Sequence, residues 1–249
     1  MRRYFDTKKV KIYLTGSSAK LLNKEIHTSL RGRSFPVEVW PFSFEEFLKA
    51  KNLEVSRELM GKITLDKLKG YLDLYLNQGG FPEGLSLSQN LAEQDRRGLL
   101  QGYVSTVIEQ DIMERYNITN KSLIKYMVKT LLKNVGCGFS VHKFFNDLKS
   151  QAFSVGKDTL YNYLDYISDA YLVFTVSLYD ESLRKIQTNP RKIYAIDTGL
   201  VRAYTMGRSQ NIGHHFENLV YLDLRRNRYE EICYYLTKTR KEVDFMACD

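Results

Sequence analysis

The stretch KIYLTGSSAKLL, residues 11–22, decides how the chain is read. Ile12, Tyr13 and Leu14 are strong strand formers, and they end in Thr15, Gly16, Ser17 and Ser18 before passing straight into a helical pattern. A parallel strand of an α/β nucleotide-binding domain presents polar groups to its ligand in this way. The helical pattern runs through SSAKLLNKEIHTSL, with Leu21, Leu22, Ile26 and Leu30 at helical spacing and Ser17 or Ser18 as N-cap. Arg31-Gly32-Arg33 stops it, and SFPVEVW, with β-branched Val37 and Val39, reads as a second strand. Ten residues stand before Lys11, so the expectation is that most of such a domain lies upstream.

Further along, PFSFEEFLKA contains a helix start with Ser43 and Glu46 spaced as a capping box and Phe42 and Phe47 as its hydrophobic staple. An amphipathic helix is expected from Thr64 to Asn77, ending at Gly79-Gly80, with a turn at Phe81-Pro82-Glu83-Gly84. A long helix from about Leu91 to Tyr116 follows, acidic at Glu109, Asp111 and Glu114.

Residues 121–194 read as three helices, NKSLIKYMVKTLLKNVG closed by Gly136, FSVHKFFNDLKSQ capped by Ser140, and VGKDTLYNYLDYISDA. Two β-rich runs, YLVFTVSLY and RKIYAID, follow across a polar, charged turn. Three helices and a two-stranded wing make a winged helix-turn-helix, whose third helix can enter the major groove of DNA or dock on a protein. Leu160, Leu164 and Ile167 face inward on that helix, and Lys157, Tyr161, Asn162 and Tyr163 face outward. The last segment reads as a helix, HHFENLVYLDLRRN, and two strands, EICYYLT and KEVDFMA, joined by a short basic turn. Glu217 and Asp244 are separated as the first two carboxylates of a restriction-endonuclease-like site would be, where oxygen ligands hold a hard Mg²⁺ that activates water.

Charge is unevenly spread over the 249 residues. Lys and Arg outnumber acids nine to two in residues 1–33 and eleven to six in 121–194, while acids lead thirteen to nine in 34–120. Two basic regions therefore suit an anionic partner, or simply water. No apolar run reaches the ~18 residues of a membrane span and no signal-peptide core follows the first residues, so a cytoplasmic location is expected. Cys137, Cys233 and Cys248 are odd in number and far apart, and they form no ligand spacing with the four histidines. Neither a disulfide framework nor a structural metal is expected.

Taken in order, LTGSSAKLL, SLRGRSFPVEVWPFSFEEFL, YLNQGGFPEGL, VIEQDIMERYNI, DTLYNYLDYISDAYLV, RKIYAIDTGL, FENLVYLDLRR and KEVDF resemble the C-terminal portion of a prokaryotic AAA-type P-loop ATPase family. Its members resemble an ATPase domain followed by a winged helix and a restriction-endonuclease-like domain of unknown function. The resemblance covers nearly the whole chain. It implies an α/β remnant of the ATPase core at residues 1–55, a helical segment at 56–120, an α+β winged helix at 121–198 and the start of an endonuclease-like α/β domain at 199–249. It also implies that Thr15 or Ser17 senses the γ-phosphate, and that Arg31 and Arg33 reach a neighbouring subunit's nucleotide as fingers, beside the alternatives of a salt bridge or a contact with the helix C-terminus.

The chain departs from that pattern in what phosphate chemistry requires. No GxxxxGK[ST] loop occurs; Gly61-Lys62 and Gly156-Lys157 lack both the preceding glycine and the following hydroxyl. No apolar strand ending in metal-associated acids precedes Lys11, and the further acid and lysine of an endonuclease-like site are missing after Asp244. The reading is a partial ATPase, truncated at both ends and inactive alone. It needs no cofactor by itself, although ATP and Mg²⁺ are implied for the intact family. Its expected partners are duplex DNA or a protein at the winged helix, and itself or an ATPase neighbour elsewhere. The alternative is a stand-alone winged-helix nucleic-acid-binding or adaptor protein; a nuclease ranks last. Residues 121–198 are expected to fold independently, whereas a core without its first strands would expose sheet edges prone to aggregation.

Overall fold

The computed structural model describes residues 37–53, 62–87, 92–205, 212–229, 231–239 and 241–248, with residues 13, 15, 16 and 35. The chain divides into two compact units, residues 1–39 and 40–249. In the first, Tyr13, Thr15, Gly16, Phe35 and residues 37–39 are exposed and belong to neither helix nor strand. The strand expected across SFPVEVW is thus absent from its described residues. The helix of residues 17–30, Ser17, Arg31 and Arg33 lie outside the described residues.

The second unit begins with helix α1 (Phe44–Ala50). Its capping box forms as the spacing requires: the Glu46 amide donates to Ser43 Oγ at 3.2 Å and the Ser43 amide to Glu46 Oε2 at 2.7 Å. Phe47 is fully buried beside Tyr75 and Leu85, and Phe42 packs against the same group. Helix α2 (Lys62–Gln78) ends at Gly79, which takes a left-handed φ of +79°. The expected turn after it is a short helix, α3 (Pro82–Leu87). Proline suits a first helical position because the amide it lacks would have no intrahelical partner there. Helix α4 (Glu93–Thr106) widens into a π-helical stretch over Val107–Glu114, and Leu100, Val104, Ile108 and Ile112 form its buried stripe.

Helix α5 (Lys121–Lys133) buries Leu123, Ile124, Met127, Val128, Leu131 and Leu132. Strand β1 (Gly138–Phe139), helix α6 (Val141–Ser150) and helix α7 (Lys157–Asp169) follow. Ser140 caps α6 by accepting the Lys143 amide at 3.3 Å. On α7, Leu160, Leu164 and Ile167 are buried as expected, but so is Tyr163, which was expected outside. It is the i+3 member of the stripe that begins at Leu160, and a stripe wide enough to seal a core takes in that position.

Strand β2 (Val173–Leu178) and strand β3 (Arg191–Ala195) are joined by helix α8 (Leu183–Thr188), where a simple charged turn was expected. Ser182 caps α8 at the Lys185 amide, and Lys185 pairs with Asp180 at 3.1 Å. Helix α9 (Thr198–Thr205), helix α10 (Ile212–Arg226) and the strands β4 (Glu231–Leu236) and β5 (Glu242–Cys248) complete the unit. The five strands make one mixed sheet in the order β1-β3-β2-β4-β5. Strand β3 is antiparallel to both β1 and β2, β4 runs parallel to β2 from Ser177↔Cys233, and β5 returns antiparallel to β4. The fold is α/β. Among the described residues no helix is long and apolar enough to cross a membrane.

Two glycine-bearing turns distant in sequence lock together at the end of β3. Asp197, buried from water, accepts the Gly80 amide at Oδ2 (2.6 Å) and the Leu200 amide at Oδ1 (3.2 Å). A Cβ on Gly80 would collide with the Phe42 carbonyl oxygen, and one on Gly199 with that of Gln78. Gly98, on the outer side of α4, has nothing within 4 Å of the same position.

Gly80→Ala therefore destabilises the fold by about 1–3 kcal/mol through forced displacement of backbone, whereas Gly98→Ala stabilises it by up to about 1 kcal/mol through helix propensity; urea unfolding measures both. Burial raises the Asp197 pKa to about 6 despite the amides of Gly80, Leu200 and Gly199. The folded carboxyl thus binds its proton more tightly than the unfolded one. Its contribution to stability is greatest below the ordinary aspartate range and falls as pH rises through about 6, by an amount on the order of 3 kcal/mol. Carboxyl ¹³C NMR titration of Asp197 checks the value.

Candidate functional site

Alternation along β3 divides its side chains between two environments. Ile193 and Ala195 join the large apolar core of α4–α7, while Lys192 and Tyr194 turn to the side covered by α10. Helix α10 is held there by Asn218, whose side chain takes the place of a strand neighbour: Oδ1 accepts the Ala195 amide at 2.7 Å and Nδ2 donates to the Ala195 carbonyl at 3.1 Å. One residue earlier, Glu217 is brought over β3. Its Oε1 accepts from Lys192 Nζ at 2.7 Å and from the Tyr194 hydroxyl at 2.6 Å.

Strand β5 supplies two more carboxylates to the same ammonium, Glu242 at 2.6 Å and Asp244 at 2.8 Å. A bulge makes this possible. Cys233 pairs with Met246 and Tyr235 with Val243, so Asp244 and Phe245 together oppose Tyr234. Asp244 reaches Lys192 while Phe245 packs on Tyr194 and Tyr221, with ring centroids 5.3 and 6.2 Å away. The Lys192 side chain is 4% exposed, that of Glu217 13%, of Glu242 42% and of Asp244 55%, so the cluster is sealed at the lysine and opens to water at β5.

Burial opposes the charge on Lys192, but its hydrogen bonds to Asp244, Glu217 and Glu242 outweigh that and raise its pKa above the ordinary lysine value. It stays an ammonium and cannot serve as a base near neutral pH. Burial, the Glu217 hydrogen bond and the nearby carboxylates push the Tyr194 hydroxyl far upward too, leaving it a donor only. At the rim, Cys137 Sγ lies 3.6 Å from His214 Nδ1. Burial and the Glu217 charge raise the Cys137 pKa, which keeps the thiol protonated and poorly nucleophilic.

The fold thus brings together Glu217 and Asp244, the pair picked out by spacing. It adds a third carboxylate, Glu242, and a lysine, Lys192, from places where sequence reasoning did not look. Glu242 was findable, since i and i+2 on a strand share a face. Lys192 and Tyr194 carried no signal, because nothing local says that β3 will lie within reach of β5. Among the described residues no group of three His, Cys, Asp or Glu is arranged to hold a metal ion.

The other expected site residues lie elsewhere. Lys157, Tyr161 and Asn162 are exposed on α7, with Lys157 Nζ 5.2 Å from the centroid of Phe145. Asp158 and Asp165 are exposed on the same helix, and His142, Lys143 and Lys149 on α6. Thr15 is exposed.

Residues 69–211 match the family described as Domain of unknown function (DUF8612), and the chain belongs to that family. Residues 1–48 match an AAA domain, which supports a relationship to AAA-type P-loop ATPases. Uncharacterized protein MJ1544 of Methanocaldococcus jannaschii is 37% identical over 237 residues, covering 94% of this chain and 52% of that protein. An uncharacterized protein of Haemophilus influenzae is 30% identical over 236 residues, covering 95% of this chain and 56% of its own length. The chain spans about half the length of these relatives. No solved structure matches it.

Within the cluster, Tyr194→Phe costs about 1.5–3 kcal/mol, because it removes a buried hydrogen bond to a charged acceptor. Glu242→Gln, at a half-exposed position, costs less than about 1 kcal/mol. Chemical denaturation of the two variants ranks them.

Proposed function

We propose that this chain works within an AAA-type ATPase and that residues 121–198 are its winged helix, docking on duplex DNA through α7. The element order α5-β1-α6-α7-β2-β3, with sheet order β1-β3-β2 and an outer α7 face of Lys157, Tyr161 and Asn162, carries the reading. It goes beyond the expected two-stranded wing, since β1 supplies the third strand that a winged helix uses. Residues 1–55 belong to the nucleotide-binding side, where Thr15 or Ser17 acts as a γ-phosphate sensor and Arg31 and Arg33 as finger arginines. The helix α10 and the β4–β5 hairpin suit the opening of a restriction-endonuclease-like unit.

A second reading, an adaptor that docks on protein, draws support from Asp158 and Asp165, which are exposed on α7 and, with Asp169, outnumber its single lysine, Lys157. Fluorescence anisotropy with a labelled duplex across a salt series separates the two. Lys157→Ala lowers the slope of log affinity against log salt by about one unit, and Asn162→Ala weakens binding further. Absence of duplex binding at low salt, or a double variant that binds like the parent, would rule the DNA reading out. The 249-residue chain alone turns over no ATP above background, since no phosphate-binding loop occurs in its sequence; measurable turnover in the purified chain contradicts this.

A further inference from the structure

A restriction-endonuclease-like unit implies a hard divalent cation between Glu217 and Asp244, and that implication can be set against the geometry. The Oε1 atoms of Glu217 and Glu242 and Oδ1 of Asp244 converge at 2.7, 2.6 and 2.8 Å on one point, and Lys192 Nζ stands there. These are ammonium distances: a metal would need the oxygens drawn in to about 2.3–2.6 Å for Ca²⁺, and by roughly half an ångström or more, to about 2.0–2.1 Å, for Mg²⁺. The place suits a cation at ammonium spacing, and the Lys192 ammonium holds it.

Lys192 is also poorly able to leave. Its backbone pairs with Gly138 of β1 on one side and Val176 of β2 on the other, which fixes where the stem starts. Its side chain is 4% exposed, so an ammonium displaced from the carboxylates would be shut away from water with its charge unpaired. Three carboxylates around one ammonium leave two negative charges in excess. These fall to Glu242 and Asp244, which water reaches, so the cluster needs no second cation to be tolerable.

We propose that Lys192 is the resident cation of this cluster, a tethered substitute that closes it to divalent metal and makes it a charge clasp joining β3, α10 and β5. The clasp holds the β4–β5 hairpin against α10 at all divalent-ion concentrations. A metal site exists only when the ammonium is removed.

Calorimetric titration with Mn²⁺ and Ca²⁺, paired with thermal unfolding, tests the assignment. The parent chain shows no saturable site tighter than about 1 mM, the weak end of protein calcium sites, and its unfolding temperature does not move with added Ca²⁺. Lys192→Met unfolds at a lower temperature, binds one Mn²⁺ or Ca²⁺ at least about tenfold more tightly than that, and regains part of the lost stability when the cation is added. Should Lys192→Met fail to fold, the double variant Lys192→Met with Glu242→Gln relieves one repulsion and leaves two carboxylates to bind the ion. The assignment is overturned if the parent chain binds a divalent cation at a single site that Glu217→Gln or Asp244→Asn abolishes. It is equally overturned if a folded variant without the Lys192 ammonium takes up no cation. The parent titration decides the first point without any variant.

Discussion

The buried carboxylate of Asp197 constrains most of the second unit, because its two oxygens can be satisfied only by amides from two different turns. It ties the end of β3 to the Gly79-Gly80 turn that closes α2 and to the first turn of α9. The same neighbourhood anchors the start of the unit. The Phe42 amide donates to the Gly80 carbonyl at 2.8 Å, the Tyr75 hydroxyl to the Phe42 carbonyl at 2.7 Å, and Arg226 to the Pro41 carbonyl at 3.0 Å. Segments from residues 41 to 226 thus meet around one charge. A carboxyl shut away from water is tolerable only where donors replace its hydration, so the Gly80 and Leu200 amides must be in place for Asp197 to be buried.

From that fixed end, β3 distributes two kinds of chemistry by simple alternation. One side feeds the apolar core of α4–α7, which is what allows α7 to turn Lys157, Tyr161 and Asn162 outward. The other side carries Lys192 and Tyr194 to Glu217 and the β5 carboxylates. The exposed face of α7 and the charge cluster are therefore both supported by a single strand and its neighbours. Both lie in the unit that begins at Trp40, most of it within the family match at residues 69–211.

The match to a family of unknown function at residues 69–211 and the AAA match at residues 1–48 fall on successive parts of the chain. The motifs YLNQGGFPEGL and RKIYAIDTGL acquire a common explanation from the fold. They are the two halves of the Asp197 contact: a Cβ on Gly80 or Gly199 would strike backbone, and one on Gly79 would strike the Asp197 carboxyl itself.

Helix and strand positions in residues 41–248 were largely legible in the sequence, because each depends on short-range physics. The Ser43–Glu46 box, the Ser140 cap, the stripe on α7 and the β-branched runs of β2 to β5 are decided within a few residues of chain. The pair Glu217 and Asp244 was legible for the same reason, as acids at recognisable places on a helix and a strand. What the sequence could not specify is pairing between distant segments. That β1 joins β3, that β4 runs parallel to β2, and that a bulge lets Asp244 reach across to Lys192 are outcomes of closing one core. The role of Lys192 followed from that closure alone: a lysine in a strand is ordinarily solvated, and only tertiary structure surrounds it with three carboxylates and removes its water.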